Sequence, residues 1–109
     1  MAIPSGGGTE VIKGLGAVYS AAATNNTITA GTHEIITLLS VCLTATGGLN
    51  NVSLKIDSEY FMYNQPVPAN ATYIWNDRVV FQAGDIFHIR VHTATEVQCY
   101  VSYIVQDWS

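Results

Sequence analysis

The chain has 109 residues, enough to bury one core but not two. Hydrophobic residues make up 49% of it and charged residues only 11%, with a formal net charge of −4. Its four cations, Lys13, Lys55, Arg78 and Arg90, are scattered, which argues against nucleic acid as a partner. No apolar run reaches the ~18 residues of a membrane-spanning helix, so no membrane partner is expected either.

The first segment, Met1–Gly16, is rich in glycine, with Pro4 among a few apolar residues. Such a stretch is too permissive to hold one conformation alone, and the expectation is an extended arm ordered by lying on a partner. Met1–Gly8 has neither the basic nor the apolar region of a signal peptide. Residues 17–109 are expected to form a single domain.

Ala17–Ser20 suits a short strand, followed by a polar loop at Thr24-Asn25-Asn26. Glu34–Thr44 is the longest apolar run and suits a strand that is buried on both faces or slightly bulged. In Val52–Asp57 the alternation is clean, with Val52, Leu54 and Ile56 inward and Ser53, Lys55 and Asp57 outward. Pro66 and Pro68 cannot donate to a ladder, so Asn64–Asn70 is expected as loop or edge.

Tyr73–Trp75 and Arg78–Phe81 resume the β pattern, and Ala83-Gly84-Asp85 predicts a tight turn leading into Phe87–Val91 as a hairpin. Along that strand Phe87, Ile89 and Val91 oppose His88, Arg90 and His92. Val97–Val105 closes the series. The sum, about seven or eight short strands spaced roughly ten residues apart with no helical periodicity, predicts an all-β antiparallel sandwich of jelly-roll type.

Catalytic and cofactor signals are weak. His88 and His92 share a face but stand about 13 Å apart along a strand at ~3.3 Å per residue, too far to share a metal ion. Asp57, Glu59, Asp77 and Asp85 occupy natural turn positions, and no nucleophile elbow or phosphate-binding glycine loop occurs. No enzyme activity, metal or cofactor is expected. Cys42 and Cys99 lie in apolar runs and read as free thiols of a protein made in a cytoplasm, although a disulfide stays open.

The low charge density suggests that partner chains cover much of the surface. Ile3, Val11 and Ile12 are the candidate arm contacts, and Tyr60, Phe61, Tyr63 and Trp75 the candidate oligomer interface. Exposed aromatics also stack on sugar rings, so a carbohydrate-binding module is the alternative from another class.

Three stretches carry a resemblance. The opening Ala2-Ile3-Pro4-Ser5-Gly6-Gly7-Gly8-Thr9-Glu10-Val11, the turn Val80-Phe81-Gln82-Ala83-Gly84-Asp85-Ile86 and the ending Val101-Ser102-Tyr103-Ile104-Val105-Gln106-Asp107-Trp108 resemble small structural proteins of tailed-bacteriophage particles. The resemblance covers nearly the whole chain. It implies a β-sandwich located in the virion and assembled in the host cytoplasm, most naturally a capsid decoration (cement) protein. Such a protein would be a homotrimer that binds the major capsid protein or other virion proteins; a tail, neck or fibre adaptor is the variant of the same reading.

Overall fold

The computed structural model describes residues 9–107. They form nine strands: β1 (Thr9–Tyr19), β2 (Ala23–Thr29), β3 (Glu34–Ala45), β4 (Asn50–Ile56), β5 (Glu59–Val67), β6 (Thr72–Trp75), β7 (Val79–Gln82), β8 (Ile86–Val91) and β9 (Val97–Asp107). The larger sheet runs β1-β9-β3, with β6 and β7 side by side along the far edge of β3, and the smaller runs β2-β8-β4-β5. Every pairing is antiparallel. With β6 and β7 counted as one interrupted strand, the chain passes from sheet to sheet at each connection except the β4–β5 hairpin. That is the jelly-roll order, as expected.

The alternation expected on β4, β8 and β9 is what closes the sandwich. Val52, Leu54, Phe87, Ile89, Val97 and Val101 point inward and are at most 1% exposed. From β3, the side chains of Ile36, Leu38, Val41 and Leu43 meet them. The skip from Leu38 to Val41 on the inward face reflects a bulge, visible as a register shift between Leu38 and Ser40 against β9. Opposite that bulge the outer neighbour of β3 breaks: β7 pairs through Leu38, β6 resumes at Val41, and Trp75 Nε1 donates to Asp77 O at 3.0 Å across the gap.

Three local expectations need correction. Thr24-Asn25-Asn26 is not a loop but part of β2, where Asn25 Nδ2 donates to Ile89 O at 3.3 Å; an edge strand with one solvated side tolerates polar residues. The Gln82–Asp85 turn forms, with Asp85 N–H on Gln82 O at 2.9 Å and Gly84 at φ 87°, but it does not make a hairpin. Instead, it carries the chain from one sheet to the other, because β7 pairs with β3 while β8 pairs with β2 and β4.

Finally, Thr9–Gly16 are not an arm beside the domain: they are strand, paired residue for residue from Thr9↔Asp107 to Tyr19↔Val97. The glycines here are served by a distant aromatic. A Cβ on Gly14 would stand 2.1 Å from Tyr100 Oη and one on Gly16 3.6 Å from Tyr100 Cδ2, so the Tyr100 ring lies over both and supplies the packing surface they lack.

Candidate functional site

The sequence-derived residues fall in different places. Ile3 lies outside the described residues. Val11 and Ile12 are on the outer half of β1, 47% and 71% exposed, on opposite faces of the strand. Tyr60 and Tyr63 project from the outer surface of β5, their rings meeting edge-on at 4.9 Å. Phe61 and Trp75 face the sandwich interior, 5.3 Å apart, with Phe61 also stacked on Phe87 at 6.1 Å. The four aromatics therefore make two separate pairs: alternation puts Tyr60 and Phe61 on opposite sides of β5, and the register shifts around Leu54 bring Tyr63, three residues on, to the side of Tyr60.

The two outer faces of the sandwich differ in chemistry. On the larger sheet, register rows such as Ile12–Ile104–Thr37–Val80 and Gly16–Tyr100–Cys42–Ile74 cross four strands. Ile12, Val18, Ile74, Val80 and Tyr100 on this face are each more than half exposed. It is an aliphatic surface, and singling out aromatics in the sequence overlooked it. The signal that could have found it is the alternation of β9, whose outward positions include Tyr100 and Ile104 rather than charges.

β1 also ends this sheet with eleven residues whose far edge pairs with nothing among the described residues. The other edges are blunted: β5 contains Pro66, β2 is bulged between Asn26 and Ile28, and β6/β7 is interrupted.

The outer face of the smaller sheet is polar, aromatic and cationic. Arg90 Nη1 donates to Tyr60 Oη at 2.8 Å, which favours the charged guanidinium and holds its pKa above the ordinary value. Lys55 Nζ stands 5.3 Å from the centre of the Tyr60 ring. Ser53 Oγ, wholly buried, accepts from Asn64 N–H and shares a hydrogen bond with His92 Nε2, both at 2.7 Å. Asn51 Nδ2 donates to Asn64 Oδ1 at 3.0 Å, and Asn64 sits in the left-handed region at φ 55°.

Burial first and Arg90 second push the His92 pKa down; burial and then Lys55 do the same to His88, against a smaller upward pull from Asp57. The Nδ1 atom of His88 is buried and has no hydrogen-bond partner among the described residues.

Cys42 and Cys99 are both free. Their strands are neighbours, but Cys42 faces outward opposite Tyr100 while Cys99 faces the core opposite Leu43, so they cannot join within one chain. Burial pushes the Cys99 thiol up to about 12. Among the described residues no three His, Cys, Asp or Glu side chains gather closely enough to hold a metal ion.

No protein-family model and no curated protein matches the chain. A solved chain from Bacillus endospore appendages, described as a novel family of disulfide-linked pili, is similar to it in fold. The identity is 14%, the TM-score is 0.54, and the match covers 99% of this chain and 96% of that one.

Proposed function

We infer that this chain is a non-enzymatic structural subunit that works by assembling with copies of itself and with a larger particle. The carrying observation is the aliphatic outer face of the larger sheet, bordered by an edge of β1 that pairs with nothing among the described residues. A lone soluble domain rarely shows so many large apolar side chains on one side, and each Å² covered contributes ~25 cal/mol, repeated at every subunit of an assembly. The scarcity of charge supports the same reading.

The motif resemblance favours a virion as the particle and capsid decoration, by binding the major capsid protein, as the role. Val11 and Ile12 then contact the partner from β1.

A second reading, a subunit of a surface appendage, is favoured by the fold likeness to a pilus chain. The two differ in closure: a decoration subunit forms a closed oligomer such as a trimer, whereas an appendage subunit adds head to tail without limit.

The test is the mass of the purified protein by light scattering at several concentrations, with electron microscopy of the concentrated sample. A discrete oligomer that the double variant Ile12→Asp, Val18→Asp dissociates supports the decoration reading; fibres that lengthen with concentration support the appendage. A clean monomer at every concentration would overturn both.

A further inference from the structure

The outer face of the smaller sheet has no part in that assembly reading, and its chemistry points elsewhere. Two of the chain's four Lys/Arg residues, Lys55 and Arg90, and two of its three histidines, His88 and His92, share this face of an acidic protein. Among the described residues no carboxylate pairs with Lys55 or Arg90. Interface cores between proteins are depleted of charge, and burying these two cations unpaired would be costly. A solvated ligand that brings its own negative charge satisfies them without that cost.

The cations sit within an ordered cluster. Arg90 is tethered to Tyr60, Tyr60 carries Lys55 on its ring, Tyr63 meets Tyr60 edge-on, and the Tyr63 and His92 rings meet edge-on at 6.0 Å. Tyr63 is 63% exposed and presents an aromatic surface of the kind on which pyranose C–H groups pack. Beside it, the hydrogen bond from Asn51 to Asn64 leaves Asn64 Nδ2 and Asn51 Oδ1 as a donor and an acceptor for sugar hydroxyls. On the other flank a shallow depression of about 230 Å³ lies between β2 and β8, lined by Ala22, Ala23, Thr24, Arg90, Val91 and His92.

We propose that this face, centred on Tyr63, Arg90 and the Asn51–Asn64 pair, is a binding site for an acidic saccharide, a glycan whose sugar rings carry carboxylates. In this site the Arg90 guanidinium takes the carboxylate through the N–H groups not used by Tyr60, with Lys55 adding positive field. Tyr63 packs against the ring, and the depression beside His92 receives the neighbouring unit. A subunit that assembles through its larger sheet would leave this face turned outward, where a cell-surface polysaccharide can reach it, but the site stands whether or not the chain assembles.

The experiment is calorimetric titration of the full chain with four acidic probes: trigalacturonate, a hyaluronate tetrasaccharide, sialyllactose and an octaglutamate peptide. Fully methyl-esterified trigalacturonate and lactose are the neutral controls. At least one acidic saccharide is expected to bind, its neutral counterpart binding about tenfold or more weakly, and Arg90→Gln and Tyr63→Ala each to lose about tenfold. The variant Ile12→Asp, on the opposite face, should bind as the parent does, which separates this site from the assembly surface.

The proposal is overturned if no acidic saccharide binds, if the Arg90 and Tyr63 variants bind as tightly as the parent, or if octaglutamate binds as well as the best saccharide. The last result would mark a general anion or peptide surface. Both substitutions are at solvent-facing positions, and an unchanged melting transition checks that each variant is folded.

Discussion

Asn50 has no exposed surface, yet its amide has four polar contacts: the two Nδ2 hydrogens are divided among Thr93 O, Thr95 O and Thr95 Oγ1, one of them shared, and Oδ1 accepts from Thr93 N–H, all between 2.8 and 3.1 Å. It pins the turn between β8 and β9, which a hydrogen bond from Thr46 Oγ1 to the Glu96 carboxylate also holds against the end of β3. Asn50→Ala removes the side-chain partner of the Thr93 N–H and of Thr95 O, while Thr93 O keeps the Thr95 N–H, and should cost about 2 kcal/mol in chemical denaturation.

The cysteines behave as opposites. A thiol with a pKa near 12 is thiolate to only about one part in ten thousand at pH 8, and Cys99 is also sealed in the core. In dilute solution an aromatic disulfide reagent should therefore modify one thiol per folded chain, at Cys42, and two after unfolding. Cys42→Ser should abolish the folded-state reaction; comparable reactivity of Cys99 in the folded protein would contradict the burial argument.

At the scale of the element, β8 and the residue that follows it carry a pH dependence. His88 and His92 both resist protonation in the fold, so below the ordinary histidine value of 6.5 the unfolded chain binds protons that the folded chain does not. Stability thus falls as pH drops below about 6.5, and the loss levels off once pH passes the lowered folded values. Denaturation midpoints measured between pH 7 and 5 should decline, and the double variant His88→Gln, His92→Gln should flatten that decline.

The alternation that puts these histidines outward was legible in the sequence, as were the inward sets of β4 and β9, because a period of two declares its own faces. What escaped depends on partners far along the chain. The glycines of β1 look unstructured until Tyr100 covers them, and β2 looks like a loop until Ile89 accepts from Asn25. In the aromatic cluster of β5 a strict period of two would put Tyr63 with Phe61, but the register shifts around Leu54 place it with Tyr60 instead. The sheet-to-sheet step after Gly84 follows from which strand each neighbour pairs with, and turn chemistry alone does not carry that information.

For the whole molecule, the division of labour between the two faces makes the manner of assembly testable. If subunits meet only by adding a strand to the free edge of β1, the far side of the larger sheet stays in solvent. If they meet face to face, β6 and β7 are covered as well, since the register rows carry the aliphatic surface from Ile12 across to Val80. Ile74 and Val80 are 55% and 62% exposed, so replacing them with lysine should change the stability of a single subunit by no more than about 0.5 kcal/mol. Lysines brought together in a buried contact would meet like charges with no partner, a far larger penalty. The double variant Ile74→Lys, Val80→Lys should therefore dissociate a face-to-face oligomer as thoroughly as Ile12→Asp, Val18→Asp does. In an edge-joined assembly it should leave the mass unchanged while the β1 variant alone breaks it. Light scattering of the two variants side by side distinguishes these geometries, and neither variant alters the Tyr63–Arg90 face on the opposite side of the sandwich.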